Sequence, residues 1–168
     1  MVDITKLVEI RWHGRGGQGA VTSAELVAQA AINEGKYGQA FPSFGPERRG
    51  APVISFVRIS PNEPIRVRAD ITEPDVVAVL DPGLLRIVNV TAGLKPNGLL
   101  IINTKRTFQD LEAEFHFKYD LAIVDGTRIA REVLGVPIVN TTMIGALLKT
   151  TGIVKLDSLV EPLKHRFG

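Results

Sequence analysis

The stretch WHGRGGQGA, residues 12–20, carries four glycines within six positions (Gly14, Gly16, Gly17 and Gly19) and separates an apolar run from a long alanine-rich stretch. Gly14, Gly16 and Gly19 fit the spacing G-x-G-x-x-G, which between a strand and a helix is the dinucleotide-binding fingerprint. The flanks supply that context. Leu7 to Trp12 read as a strand. After Gly19, the residues Ala20, Val21, Ala24, Val27, Ala28, Ala31 and Ile32 recur at helical spacing until Gly35 stops them. Backbone N–H groups at a helix start lack intrahelical partners and sit at the positive end of the dipole, so glycines there let an anion approach. Arg15 adds a charge that a plain turn does not require. Two readings stand: Gly14, Arg15, Gly16, Gly17, Gln18 and Gly19 cradle an anion, or the glycines only let the chain reverse. A nicotinamide cofactor fits less well, because it calls for an acid about 20 residues on, at the end of the second strand. That strand reads as Tyr37 to Phe41, and Pro42, Ser43 and Phe44 follow it.

Beyond this unit, Ala40 to Val53 hold three prolines and two glycines and read as a loop. Val53 to Ser60 and Ile65 to Ala69 read as two strands joined by PNEP, an antiparallel hairpin. The short apolar runs Asp75 to Leu80, Gly98 to Asn103 and Asp120 to Asp125 have the style of strands covered on both faces. Helices are expected near Gly83 to Val90, Gln109 to Phe115, Thr127 to Leu134 (closed by Gly135) and Asn140 to Gly152. A last one from Leu156 is kinked or shortened by Pro162. The sum is an α/β fold: one three-layer domain over residues 1–168, with a mostly parallel, mixed sheet including one antiparallel hairpin.

Composition sets limits on function. With 168 residues, 45% of them hydrophobic, the chain has the size for one core. A net charge of +2 and an aromatic content of 6% give no basic, base-stacking surface, so nucleic acid is not an expected partner. The absence of cysteine removes disulfides, thiolate-held iron–sulfur clusters and cysteine nucleophiles from this chain. No apolar window approaches membrane-spanning length, and the N-terminus has no basic segment leading into an apolar run. The expectation is a soluble, cytoplasmic chain.

Ligands of open α/β sheets gather outside the carboxyl ends of the strands, where His13, Asp81, Asn103 and Asp125 fall. Asp81 precedes Pro82 and Asp125 precedes Gly126-Thr127, so both read as helix N-caps ahead of any paired-carboxylate chemistry. His13, His116 and His165 have no metal-ligand spacing, and no G-x-S-x-G elbow occurs. No catalytic residue and no metal ligand is assigned. Arg48 and Arg49, on a short loop stiffened by Pro46 and Pro52, suit planar recognition of a carboxylate or phosphate. A solvated loop with Glu47 pairing one arginine, or a subunit interface, explains them equally.

Three longer stretches stand in order: IRWHGRGGQGAVTSAELVAQAA (10–31), QAFPSFGPERRGAPVISFVRIS (39–60) and PDVVAVLD (74–81). Together they resemble the gamma subunit of 2-oxoacid:ferredoxin oxidoreductases, the pyruvate synthase family. The resemblance is dense from Glu9 to Asp81 and returns at PIVNTTMIGAL (137–147). It implies a subunit of a multi-chain enzyme of anaerobic metabolism. That enzyme oxidatively decarboxylates a 2-oxoacid, pyruvate first, with coenzyme A, giving acyl-CoA, CO2 and reduced ferredoxin. 2-Oxoglutarate, branched-chain 2-oxoacids and indolepyruvate are the alternative substrates. The resemblance also implies alpha, beta and delta subunits as partners, with ferredoxin reached through the complex. Thiamine diphosphate and the iron–sulfur clusters then belong to those partners and no cofactor to this chain alone. Coenzyme A becomes the phosphate-bearing ligand for Gly14–Gly19, Arg48 and Arg49. A purely structural subunit and a stand-alone Rossmann-like nucleotide-binding protein are the rival readings.

Overall fold

The computed structural model describes residues 2–43 and 48–168. Its elements are β1 (Val8–Arg15), α1 (Ala20–Asn33), β2 (Tyr37–Pro42), β3 (Pro52–Ser60), β4 (Val76–Val79), a 3-10 turn (Pro82–Arg86) and β5 (Leu99–Asn103). Then follow α2 (Phe108–Phe115), β6 (Asp120–Val124), α3 (Gly126–Leu134), α4 (Asn140–Thr151), a second 3-10 turn (Leu156–Leu159) and α5 (Val160–Phe167). The six strands form one sheet in the order β2-β3-β1-β4-β5-β6. β3 runs antiparallel to both its neighbours, and the pairs β1–β4, β4–β5 and β5–β6 are parallel. The α/β class, the single domain and the mixed sheet are as the sequence leads one to expect.

The layers follow from alternation along the strands. Ile10, Trp12, Val57, Ile59, Val76, Ala78 and Ile101 point to one face, where they pack with α1, α4 and Leu159. Val77, Val79, Leu100 and Ile102 point to the other, against Leu84, Val90, Leu94 and Leu111 of α2. Alanines at 20, 24, 28, 30 and 31 let α1 lie close on the first face, all nearly inaccessible to solvent. The expected caps and stops are present: Asp81 accepts from Gly83 N at 2.8 Å, Asp125 accepts from Arg128 N at 3.1 Å, and α3 and α4 end on left-handed Gly135 and Gly152. Pro162 falls in the first turn of α5, and the preceding residues form a 3-10 turn, which is the shortening its missing N–H imposes.

Besides the helix expected near Gly83 to Val90, of which only the 3-10 turn Pro82–Arg86 forms, two expectations are corrected. Ile65 to Ala69 form no strand. β3 has both its edges filled, by β2 and β1, so no ladder remains for a third partner, and the antiparallel hairpin is β2–β3 instead. The 65–69 segment is tied down through side chains: Arg58 Nη2 donates to Ala69 O at 2.6 Å and Gln39 Nε2 to Val67 O at 2.9 Å. Residues 66–69 are exposed. The second correction concerns β1, which runs on past Trp12 to Arg15 because β3 continues to pair with it, with Gly14 opposite Val53 and Arg15 opposite Pro52.

Candidate functional site

The chain leaves β1 through α1 towards β2 and leaves β4 through the 3-10 turn towards β5, in opposite directions along the sheet and on opposite faces. Such a reversal opens a crevice outside the carboxyl ends of the two strands. A cavity of about 270 Å³ occupies it, lined by Gly17 and Gln18 before α1, Leu80, Asp81 and Pro82 after β4, Asn103 of β5, Thr127, and Pro137 to Val139 before α4.

With Gly14 and Arg15 in the strand, the turn itself shrinks to Gly16–Gly19. The segment that enters β3 docks on this turn. Gly16 N donates to Ala51 O at 2.9 Å, Gly50 N donates to Gly16 O at 3.1 Å, and Gly16 and Arg49 form a parallel bridge. A side chain at position 16 would overlap the Arg48 carbonyl, which is why glycine stands there. Gly19 is the N-cap of α1, in the left-handed conformation at φ 85°, and gives the first turn no side-chain cap. The helix N–H groups are thus left for another acceptor.

Arg15 is already engaged. Its Nε lies 3.0 Å from Asp81 Oδ2 and its Nη1 donates to Gly50 O at 3.1 Å. Gln18 braces the same turn, accepting from Arg15 N at 2.7 Å and donating to Asp81 Oδ2 at 3.0 Å. Asp81 therefore caps the 3-10 turn and also neutralises Arg15, a pairing across 66 residues. Arg48 and Arg49, beside this turn, are unengaged. Both are exposed, and neither side chain has an ion-pair or hydrogen-bond partner among the described residues. Glu47, the alternative partner weighed for them, lies outside the described residues. The fold thus brings all eight residues singled out in the sequence to one end of the sheet.

The arrangement also accounts for the missing ribose acid. The neighbour of β1 at its carboxyl end is the start of antiparallel β3, not the end of a parallel second strand, so two arginines arrive where a dinucleotide fold presents an acid.

His13 and Asn103 serve the scaffold. His13 is 3% exposed and its Nε2 accepts from Arg11 Nε at 2.9 Å, while Arg11 Nη2 donates to Val90 O and Ala92 O at 2.9 and 2.6 Å. Burial, with Arg11 adding its charge, pushes the imidazole down to about 3, so it is neutral near pH 7. Asn103 donates to Leu80 O at 2.9 Å and Thr127 Oγ1 at 3.1 Å and accepts from Gly126 N at 2.9 Å, joining the ends of β4 and β5 to the start of α3. Asn103→Ala is expected to cost about 2 kcal/mol through unpaired buried backbone groups. Urea denaturation checks this, and an unchanged midpoint contradicts it. Among the described residues no group of three or more His, Asp or Glu side chains converges as a metal site, and no helix is long and apolar enough to cross a membrane.

Fold and crevice define a doubly wound α/β domain whose switch point holds a helix start without a side-chain cap and two free guanidinium groups. The family model described as pyruvate ferredoxin/flavodoxin oxidoreductase matches residues 9–168, and the chain belongs to that family. It is 56% identical over 163 residues to the pyruvate/ketoisovalerate oxidoreductases common subunit gamma of Pyrococcus furiosus, covering 96% of this chain and 88% of that one. To the pyruvate synthase subunit PorC of Methanothermobacter marburgensis it is 53% identical over 161 residues, covering 96% and 87%. The crystal structure of pyruvate oxidoreductase subunit PORC from Thermotoga maritima matches with a TM-score of 0.85 at 39% identity, over 97% of this chain and 86% of that one. The chain is accordingly a gamma-type subunit of a multi-subunit ferredoxin oxidoreductase.

Proposed function

We propose that the complex to which this subunit belongs oxidises pyruvate with coenzyme A to acetyl-CoA, CO2 and reduced ferredoxin, and that this chain holds phosphates of coenzyme A. The observation that carries the second part is the docking of residues 48–51 onto Gly16, which sets Arg48 and Arg49 beside the open start of α1. Backbone N–H groups and guanidinium groups are the donors a phosphate needs. In this reading Arg15 and Gln18 hold the turn in shape through Asp81, and Gly16, Gly17 and Gly19 admit the ligand.

Partner alpha, beta and delta subunits supply the thiamine diphosphate and the clusters. Zero cysteines in this chain support that division, since iron–sulfur clusters are held by thiolates. A surface made to be covered supports it too. Residues 131–138 are exposed throughout, with Val133 at 74% and Leu134, Val136 and Ile138 beside it, on α3 and the turn that borders the crevice. The complex purified through this chain is expected to contain iron and thiamine diphosphate and to reduce ferredoxin with pyruvate and coenzyme A, whereas the isolated chain carries neither and is inactive. Stoichiometric iron on the isolated chain contradicts the division of labour.

A second reading has its own support. The relatives from Thermococcus litoralis and Pyrococcus furiosus are each named as a subunit common to pyruvate and ketoisovalerate oxidoreductases. By that analogy this chain serves two complexes and a branched-chain 2-oxoacid is a second substrate. Native purification separates the readings by yielding one 2-oxoacid activity or two.

A further inference from the structure

The crevice does not end at β4. A second cavity, of about 420 Å³, lies at the carboxyl ends of β5 and β6, and Pro82, Asn103 and Thr127 line both. The two make one trough along the carboxyl ends of the parallel strands, with Gly17 at the β1 end and α3 at the β6 end. Arg49 stands at the first end, its Cγ 4.0 Å from the position a Cβ on Gly17 would take.

The charges around the second cavity do not cancel. Its carboxylates are Asp125 and Glu132, and Arg128 pairs with both, at 3.7 and 3.1 Å. Lys105 and Arg131 are left over. Both line the cavity, both are exposed, and neither side chain has a hydrogen-bond or ion-pair partner among the described residues. They reach it from separate elements, Lys105 from just past the end of β5 and Arg131 from α3, one turn beyond Arg128 on the same helix face. Thr104 lines the cavity beside them; its hydroxyl oxygen accepts from Arg106 N at 3.1 Å, which leaves the O–H proton to donate. Two unmatched cations and a hydroxyl donor, meeting where the carboxylates are already neutralised, suit an anion of charge above one with several acceptor oxygens. A terminal phosphate monoester is such a group.

We propose that Lys105 and Arg131 hold the terminal phosphate of the ligand whose diphosphate lies at the Gly16–Gly19 turn; on coenzyme A this is the phosphate on the ribose 3′ oxygen. The inference rests on the reading of that turn as a coenzyme A site, and adds to it the direction of the ligand, with the adenosine end towards β6. β1 and β5 lie two strand spacings apart, about 10 Å, a gap that a ribose and the long cationic side chains at either end can bridge. The consequence is selectivity: the subunit distinguishes coenzyme A from its 3′-dephospho form.

The test is the Lys105→Ala/Arg131→Ala double variant in the assembled oxidoreductase, with Michaelis constants measured for coenzyme A and for 3′-dephospho-coenzyme A. The wild-type enzyme is expected to favour coenzyme A roughly tenfold to hundredfold, and the variant to lose that factor on coenzyme A alone, so that it takes both forms equally at an unchanged unfolding midpoint. Equal use of the two forms by the wild type, or a variant whose preference is intact, overturns the proposal. A rise in the Michaelis constant for ferredoxin with both coenzyme constants unchanged also overturns it, and assigns the two cations to an acidic protein partner. If Arg48→Ala/Arg49→Ala raises the constants for both forms while Lys105→Ala/Arg131→Ala changes neither, the Gly16–Gly19 reading stands and the 3′-phosphate site falls. If neither double variant affects either form, both readings fall.

Discussion

Replacing Arg48 and Arg49 together by alanine is expected to raise the Michaelis constant of the assembled oxidoreductase for coenzyme A roughly a hundredfold and to leave that for the 2-oxoacid unchanged. Each guanidinium in a charge-assisted bond to phosphate contributes about 1.5 kcal/mol when partly exposed, and two together give about 3 kcal/mol, or two decades of affinity. The separation between substrates follows from position. These arginines stand on a loop bonded to Gly16 at the end of β1, and their side chains have no partner among the described residues, so no scaffold contact in this chain depends on those side chains. Stability should be unaffected, which makes the steady-state measurement clean. A rise in both constants points to a disturbed subunit interface, and a rise in neither removes the arginines from ligand binding.

Acid is the second large lever, through His13. An imidazole held neutral down to about pH 3 in the folded chain, against an ordinary value near 6.5, means that the unfolded chain binds the extra proton first. The stability from this group is complete above pH 6.5 and is lost as pH falls below it, at about 1.4 kcal/mol per unit. Glu34 and Glu114 have carboxyls held below their usual range, the former by Lys155 N–H, Ser158 and Lys36 against the opposing cost of burial, the latter mainly by Arg86 and Arg106. Their contribution is lost only in more acidic solution, as pH falls below the ordinary carboxylate value. The window from pH 6.5 to 4.5 therefore isolates His13, and urea titrations across it should show a loss of about 2 kcal/mol. His13→Gln, which offers Arg11 Nε a neutral acceptor, should flatten that slope. An equal slope in the variant assigns the effect elsewhere.

What could be read in the sequence and what could not divides along one physical line. The start of α1 at Ala20, the Asp81-Pro82 cap and the glycine stops at 135 and 152 are written in residues close to one another, and the structure has them where they were expected. The length of β1 was not legible. Whether His13, Gly14 and Arg15 are strand or turn depends on β3, some 40 residues on, whose antiparallel pairing carries the ladder to Pro52. The same pairing occupies β3 and denies Ile65 to Ala69 a partner, although their alternation reads as a strand. Arg15 looked like a free charge because the carboxylate that meets it, Asp81, is 66 positions away. Among the eight residues first singled out, the fold sorts roles that spacing alone ran together. Gly14 and Arg15 belong to the strand, Gln18 braces the turn, and Arg48 and Arg49 keep their donors free.

The most direct test of coenzyme A binding at the switch point is the structure of the assembled oxidoreductase with coenzyme A bound. The expected result places the diphosphate within hydrogen-bond distance of backbone N–H groups between Gly17 and Ala20 and of the guanidinium of Arg48 or Arg49. Coenzyme A held with its phosphates against other subunits, and this crevice filled by a partner's side chains, would contradict it.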